Sequence, residues 1–228
     1  MIKIKLAISF SALAVLFDVT VQTCCNYFYD TVGILSKVLH CMVFWADKED
    51  VLKNLPKCFN RYKCTRVVLD CFEVAIEKSK CIQCRVRSYS HYKKNNTAKF
   101  LVLITPSGLV SHMCPAFGGR ASDKCITEHS GIYQLCDPGD GIMVDIGYDI
   151  DQECLDNMLK LIRPTFLRKS RQFTRAESVE CAKIARARVH VERLIQRIRQ
   201  YQILKNKVPW CIIPYLDDIA VIVSALVN

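Results

Sequence analysis

Three carboxylates in this chain stand where apolar segments end or turn. Asp70 closes the strand-like run RVVLD, Asp145 closes the similar run GIMVD, and Glu192 lies inside the helical pattern ARVHVER. Acids at the ends of two buried strands and on a helix can meet at one edge of a sheet. Clustered carboxylate oxygens suit Mg²⁺ or Mn²⁺, and two such ions can clamp an in-line phosphoryl displacement. The three residues therefore predict a metal-dependent nuclease or strand-transfer centre.

Each acid also has an ordinary structural interpretation. Asp70 can be a turn residue at a strand end, and Asp145 can belong to an Asp-x-Gly turn that ends at Gly147. Glu192 can form an (i, i+4) pair on a helix surface with Arg188 or with neighbours on the Gln196 side. Considered one at a time, these interpretations are reasonable, and the residues alone leave them open.

Hydrophobic periodicity and turn residues predict the elements that position the acids. Strands come first, then a strand–helix–strand segment, then helices, which indicates an α/β layered domain. Asp140 is expected to be a turn or solvent residue, and Asp123 a first-turn helix acid. The predicted segments are helices over about 1–46, strands over about 66–76, 99–105 and 109–114 with a Pro106-Ser107-Gly108 turn, a helix from 122 or 123 to about 136, a turn over 137–140 before the Asp145 strand, an irregular insertion over 149–172, and helices over about 175–204 and 214–227.

The long helix predicted after the insertion has two distinct sides. At 100° per residue, Glu192 lies about 110° from the centre of the apolar stripe, where a carboxylate can reach over the sheet edge. The apolar stripe consists of Ile184, Ala187, Val191, Leu194, Ile195 and Ile198. We expect the cations of the opposite side to bind DNA, with a solvated face as the alternative; they are Lys183, Arg186, Arg193 and Arg197.

The positive charge of the chain is concentrated in one region. The 228 residues carry a net charge of +10, and the window 160–207 alone holds fourteen Lys and Arg against three Glu. Positive charge around a metal centre fits a polyanionic substrate such as double-stranded DNA. Tyr92, Lys93 and Lys99 are further candidates for contacts with the DNA backbone. Hydrophobic residues make up 51% of the chain, which excludes a mainly disordered protein and allows one sizeable domain.

The cysteines and the first residues bear on the compartment. Fourteen cysteines could indicate a secreted disulfide scaffold, but several lie inside apolar runs, as buried reduced thiols do, which favours an intracellular protein. Lys3 and Lys5 before an apolar run are also typical of a signal peptide. We favour instead a helix, a turn and a second helix over residues 13–23. The chain then divides into a small helical segment, residues 1–55, and a main domain, residues 56–228.

Five motifs in a fixed order resemble one protein family. Along the chain they are VVLDCFE, YSHYKKNNTAKFLVLITPSGLVS, GGRASDK, PGDGIMVDIGY and IARARVHVERLIQRIR. Together they resemble the DDE endonuclease domain of PIF/Harbinger transposases and of their domesticated relatives, over roughly residues 60–228. Phe72 and Ile146 depart from the family pattern, which has a small hydroxyl residue at the first position and a polar or basic residue at the second.

The resemblance implies a fold, a mechanism and partners. The fold is a ribonuclease H-like mixed sheet flanked by helices, preceded here by a partial helix-turn-helix-like segment. The mechanism is two-metal cleavage of double-stranded DNA, with Mg²⁺ or Mn²⁺ held by Asp70, Asp145 and Glu192. A nuclear location is expected, with the cytoplasm as the alternative, together with a separate Myb-like DNA-binding partner and no membrane association. A different class stays open, a domesticated or decayed transposase fragment that only binds DNA or protein.

Overall fold

The computed structural model describes residues 1–165 and 172–228. Its helices are α1 (Ile2–Leu6), α2 (Phe10–Phe17), α3 (Val21–Leu39), α4 (Lys48–Lys53), α5 (Ile82–Ser88), α6 (Asp123–His129), α7 (Ile132–Leu135), α8 (Asp151–Asp156), α9 (Arg175–Arg199), α10 (Gln202–Lys205) and α11 (Leu216–Val227). Its strands are β1 (Thr65–Ala75), β2 (Tyr89–Ser90), β3 (Asn95–Ile104), β4 (Val110–Met113), β5 (Phe117–Gly118), β6 (Gly141–Met143) and β7 (Lys160–Ile162). Three short 3₁₀ segments cover His40–Met42, Lys57–Phe59 and Trp210–Tyr215.

The strands form one mixed sheet in the order β2-β3-β1-β6-β7, and β4 and β5 also pair with β3. The long strand β1 is central because it pairs antiparallel with β3 on one side and parallel with β6 on the other. The predicted turn between β3 and β4 is confirmed, and Gly108 adopts there a φ of +95°, which favours glycine. This mixed sheet flanked by helices is consistent with the expected ribonuclease H-like fold.

Alternation along β1 divides the core between the two faces of the sheet. Val68 and Phe72 belong to a core cluster that also holds the buried residues of α9 and α11, whereas Val67 and Leu69 pack with those of α6, α7 and α8. Phe72 stacks on Phe100 of β3 with ring centroids 5.3 Å apart. Such a pair adds roughly 0.5–1.5 kcal/mol to the burial of its apolar area. Because side chains alternate, Asp70 faces α9 with Val68 and Phe72.

Helix α9 is held from both its start and its apolar side. Thr174 and Glu177 form a reciprocal capping box at the N-terminus, where each side chain binds the other residue's backbone N–H. All six residues of the predicted apolar stripe are buried, so that prediction is confirmed. The helix ends at Arg199, earlier than expected, because Tyr201 leaves the helical conformation before the short helix α10 begins.

The N-terminal residues fold as helices, as predicted. Helix α2 ends at Asp18, which has a left-handed φ of 51°, and the Thr20 side chain then caps α3. Ile4 and Val32 belong to the same core cluster as the buried residues of α9 and α11. The segment therefore packs on the core of the main domain, while the domain boundary near residue 55 stays a prediction.

Three predictions about the middle of the chain were wrong. The region expected to be an irregular insertion contains α8 and β7; β7 has only three residues, too few to show alternation, and it is stabilised by parallel pairing with β6. The helix expected to reach about residue 136 breaks at Gly131, whose φ is +72°. Asp140 ends the predicted turn, since its N–H donates to the Asp137 carbonyl at 3.0 Å, but it is not a solvent residue: it is 1% exposed and pairs with Lys48 at 2.5 Å and with Arg66 at 3.6 Å. Residues 166–171 of the expected insertion, which are also part of the basic window, lie outside the described residues.

One helical stretch among the described residues, Trp210–Val227, is long and apolar enough to cross a bilayer by length and composition. Half of this stretch is buried inside the structure, and Ile219, Ile222 and Val223 are fully buried in the core cluster that also contains α9. Those contacts are the ones a core helix makes.

Candidate active site

The register of the sheet brings two of the three predicted acids together. Val68 of β1 lies beside Met143 of β6 in a parallel pair, and Asp70 and Asp145 each follow two residues later. Two residues is one full period of a strand, so both aspartates point to the same face, the one covered by α9. Adjacent strands lie about 4.8 Å apart, so the register brings the chain at Asp145, two residues beyond the end of β6, close to Asp70.

Arg188 of α9 lies between these two carboxylates. Its guanidinium is 2.7 Å from Asp145 Oδ1 and 3.8 Å from Asp70 Oδ2. The Arg188 side chain is only 9% exposed, whereas that of Asp145 is 52% exposed, so the pair opens to solvent on the Asp145 side. The two aspartates thus share one buried cation, which offsets the repulsion between their negative charges.

The backbone also donates to both aspartates. The Cys71 N–H donates to Asp70 Oδ1 at 2.8 Å, and the Ile146 N–H donates to Asp145 Oδ1 at 2.7 Å. Burial raises the pKa of Asp70 to about 6, although Arg188 and the Cys71 N–H lower it. The negative charges of Asp145 and Asp123 act in the same direction as burial. Asp70 is therefore a carboxylate that a further cation would stabilise in its ionised form.

Glu192 lies on the same face of α9 as Arg188 and is exposed. Residues four apart on a helix are surface neighbours with Cβ atoms about 5–6 Å apart, so Glu192 follows Arg188 by one turn. Arg188 forms its ion pairs with the two aspartates. The simplest structural interpretation of Glu192, an (i, i+4) ion pair with Arg188, is therefore not what the described residues show. Across residues 1–165 and 172–228, no three acidic, His or Cys side chains gather closely enough to hold a metal. The structure thus unites Asp70 and Asp145 and places Glu192 beside their shared cation.

A cleft of about 550 Å³ opens beside Asp70 and Asp145. Lys99 of β3 lines it and pairs with Asp123 at 2.6 Å. Asp123 is the first residue of α6, the position expected from the sequence. Arg199, near the end of α9, also lines the cleft. Positive side chains therefore flank the acids on two sides.

A thiol at this cleft is unsuited to act as a nucleophile. Burial raises the pKa of the Cys71 thiol well above its ordinary value, so the thiol stays protonated at neutral pH. Its sulfur accepts a hydrogen bond from the Tyr148 hydroxyl at 3.2 Å. The chemistry of the cleft therefore rests on its carboxylates and cations.

The cations that the sequence assigned to DNA binding lie away from the cleft. At 100° per residue, they are about 140–220° from Arg188 around the α9 axis. The Arg197 guanidinium donates to the Val227 carbonyl, and Lys183 pairs with Glu180 at 3.8 Å. The structure brings none of the four to the acids, and the role of Lys183, Arg186, Arg193 and Arg197 in DNA binding stays a prediction.

Arg188 is the residue of this centre that the sequence reasoning missed. The sequence indicates it only as a possible ion-pair partner of Glu192. Its signal was present, since at 100° per residue Arg188 lies about 40° from Glu192 and borders the apolar stripe. A cation at the edge of a buried face needs an anion, and in the fold Arg188 pairs with Asp70, in the middle of β1, and with Asp145, just after β6.

Comparison with known proteins agrees with this geometry. The family model described as DDE superfamily endonuclease matches residues 69–228, which include all three predicted acids and both flanking cations. No curated protein and no solved structure matches the chain. Because the family model covers well over half of the sequence, the chain belongs to the DDE superfamily endonucleases.

Proposed function

We propose that this protein is a metal-dependent DNA endonuclease of the PIF/Harbinger type, with Asp70, Asp145 and Glu192 as its catalytic acids. The observation that carries the proposal is the meeting of Asp70 and Asp145 on one buried cation, with Glu192 one helical turn further along. The family match supports a nuclease function in general. The finer assignment to the PIF/Harbinger group rests on the five sequence motifs.

The donor set fits Mg²⁺ or Mn²⁺. All three side chains offer hard carboxylate oxygens, and Asp70 is a partly buried acid already drawn to a positive charge. Asp70, Asp145 and Glu192 would hold a pair of these ions, as the acids of two-metal sites do.

 When bound, such ions supply Lewis acidity to the phosphate and its attacking oxygen.

The chain's own residues position and balance the charges of the reaction. Asp70 and Asp145 both contact Arg188 of α9, and the buried stripe of that helix holds Glu192 one turn beyond Arg188. Lys99 and Arg199 line the cleft and would attract the phosphates of a bound DNA strand. Before DNA binds, Arg188 offsets the electrostatic repulsion between the two aspartates.

The two departures from the family pattern leave this arrangement intact. Phe72 is 2% exposed and stacks on Phe100, so it contributes to the core and takes no ligand away. Ile146 is exposed, and its backbone N–H donates to Asp145. That hydrogen bond depends on the backbone alone and is open to any residue except proline.

The proposal extends to the partners and the compartment. Double-stranded DNA is the substrate, a separate Myb-like protein assists in delivery, and the protein acts in the nucleus. All fourteen cysteines lie in the described residues and none forms a disulfide, which suits a reducing compartment. Fluorescence microscopy of the tagged full chain checks the location: signal confined to secretory compartments contradicts it.

The second candidate function is a DNA- or protein-binding module without nuclease activity. The observation that favours it is the 2.7 Å contact between Arg188 and Asp145, since a guanidinium already neutralises that carboxylate. In such a protein the ion pair would be permanent, and added metal would find no site. Metal binding therefore separates the two functions.

Titration of the purified chain with MnCl₂ in a calorimeter is the test. The nuclease proposal predicts saturable binding that weakens about tenfold or more in Asp145→Asn, because the variant removes a charged ligand. Asp149→Asn is the matched control, with the same change of charge at an exposed position four residues away. Absence of saturable binding to the wild type would favour the binding module.

A further inference from the structure

A second cleft, distinct from the one beside the acids, has a strongly basic lining. It measures about 540 Å³ and lies where β2 pairs with the start of β3. We call it the basic groove; the cations that line it are Lys78, Arg85, Lys94, Arg120 and Lys207. Its lining contains no acidic residue, and within the described part of the chain none of the five cations forms an ion pair.

Buried polar contacts fix one wall of the basic groove. The side-chain amide of the buried Asn96 donates to the Arg85 carbonyl at 2.9 Å and to the Ser88 hydroxyl at 2.8 Å, which ties α5 to β3. The Arg85 Nε donates to the Ser79 carbonyl at 3.2 Å. The wall therefore presents the Arg85 guanidinium in a fixed position.

Close backbone packing fixes Arg120 on the other side. A Cβ at Gly118 would lie 2.4 Å from the Arg87 carbonyl oxygen, and one at Gly119 would lie 2.0 Å from Thr97 Oγ1. Only glycine allows this approach, which lets the Arg120 N–H donate to the Arg87 carbonyl at 3.2 Å. The two glycines of the motif GGRASDK thus position an exposed arginine at the groove.

The basic groove lies close to the cleft that holds the acids. Tyr92 and Lys93 line the cleft beside Asp70 and Asp145, and Lys94, the next residue in the same turn, lines the basic groove. Along β3, Asn96 lines the groove and Lys99 lines the cleft, three residues further on. Three residues of a strand span about 10 Å, close to the rise of three nucleotides along one DNA strand.

We infer that the basic groove binds the sugar–phosphate backbone of the DNA strand, a few nucleotides from the phosphate at Asp70 and Asp145. Cations that form no ion pair attract phosphates, and their position near the acids supplies a path for one polyanion past both clefts. The inference rests on the proposed nuclease function and names the surface that binds its substrate. It adds a second surface to the predicted DNA contacts on the outer face of α9.

The test compares the salt dependence of DNA binding in two triple variants of the full chain. The groove variant carries Lys78→Gln, Arg120→Gln and Lys207→Gln, and the control carries Lys57→Gln, Lys63→Gln and Lys160→Gln. All six side chains are exposed, and both variants lower the net charge by three. The control cations lie elsewhere, since Lys57 and Lys63 precede β1 and Lys160 is in β7 at the far edge of the sheet. The probe is a 20-base-pair duplex of arbitrary sequence, followed by fluorescence anisotropy.

The groove variant should bind more weakly at low salt, and its slope of log affinity against log salt should be shallower than that of the wild type by about 2 to 3. The control should keep the wild-type slope within about one. Equal slopes in the two variants, or a wild type without salt-dependent binding, would overturn the inference. Metal-dependent cleavage, measured on the same samples, judges the nuclease proposal separately. If the wild type cleaves DNA but the groove variant keeps the wild-type slope of log affinity against log salt, the inference about the groove is wrong and the nuclease proposal stands.

Discussion

At the scale of single residues, Arg188 explains how two neighbouring carboxylates coexist without a metal. Taking two aspartates to the same face of adjacent strands costs electrostatic energy, and a guanidinium between them offsets that cost. The arginine is nearly buried, so its charge is weakly screened by solvent. Arg188 therefore balances the charge of the metal-free site.

Removal of this cation should destabilise the metal-free protein and increase its response to metal. Breaking a buried ion pair costs about 3–5 kcal/mol, and because Asp145 is half exposed we expect Arg188→Gln to cost about 1–3 kcal/mol. Added Mn²⁺ should raise the Tm of the variant more than that of the wild type, because the ion replaces the missing charge. Differential scanning calorimetry with and without Mn²⁺ measures both effects. Arg186→Gln, an exposed cation on the same helix, is the control, and an equal Mn²⁺ response in Arg188→Gln and wild type would contradict this role.

The raised pKa of Asp70 predicts a pH dependence of stability. Its pKa of about 6 in the folded state exceeds the ordinary value of 3.8, so the folded state binds the proton more tightly. The resulting stabilisation is complete below about pH 4 and is lost as the pH rises through 6. Relative to Asp70→Asn, the wild type should therefore lose up to about 3 kcal/mol of unfolding free energy between pH 4 and 7. Urea unfolding in the presence of a chelator measures this, and a difference between the two proteins that does not change with pH would refute it.

At the scale of elements, α9 links the hydrophobic core to the candidate active site. One side of the helix is buried against the sheet and α11, and the adjacent side presents Arg188 and Glu192. The placement of Glu192 thus depends on apolar packing one or two residues away. Any loosening of that packing moves the acid relative to β1.

Truncation of the buried side of α9 should therefore be costly. Ile198 is fully buried, and Ile198→Ala should lower the unfolding free energy by about 2–4 kcal/mol through lost burial and a cavity. Val189→Ala, on the exposed side, should change it by less than about 0.5 kcal/mol. Urea denaturation of the two variants and the wild type makes the comparison. A smaller loss for Ile198→Ala than for Val189→Ala would mean that α9 is not held by this stripe.

At the scale of the whole molecule, the long periodic segments were predictable and the short ones were not. Strands β1 and β3 and helix α9 carry enough residues for their alternation or 3.6-residue period to be read from sequence. Strand β7 has three residues, and only its pairing with β6 defines it. The ion pairs of Asp140 and Arg188 join residues distant in the chain, so no local pattern could identify the partners. The candidate acids were predicted by motif order, and the position of Arg188 at the edge of the apolar stripe was readable, but its pairing with both aspartates emerged only from the fold.

The central claim is that Asp70, Asp145 and Glu192 act together as the acids of a metal-dependent DNA endonuclease. Cleavage of supercoiled plasmid DNA in Mn²⁺ or Mg²⁺ by the wild type and by Glu192→Gln tests it most directly. The variant keeps the shape of the side chain and removes only the charge that a metal needs. We predict nicking or linearisation by the wild type that EDTA abolishes, and a loss of about 100-fold or more in Glu192→Gln with DNA binding retained. Cleavage by Glu192→Gln at the wild-type rate would contradict the claim.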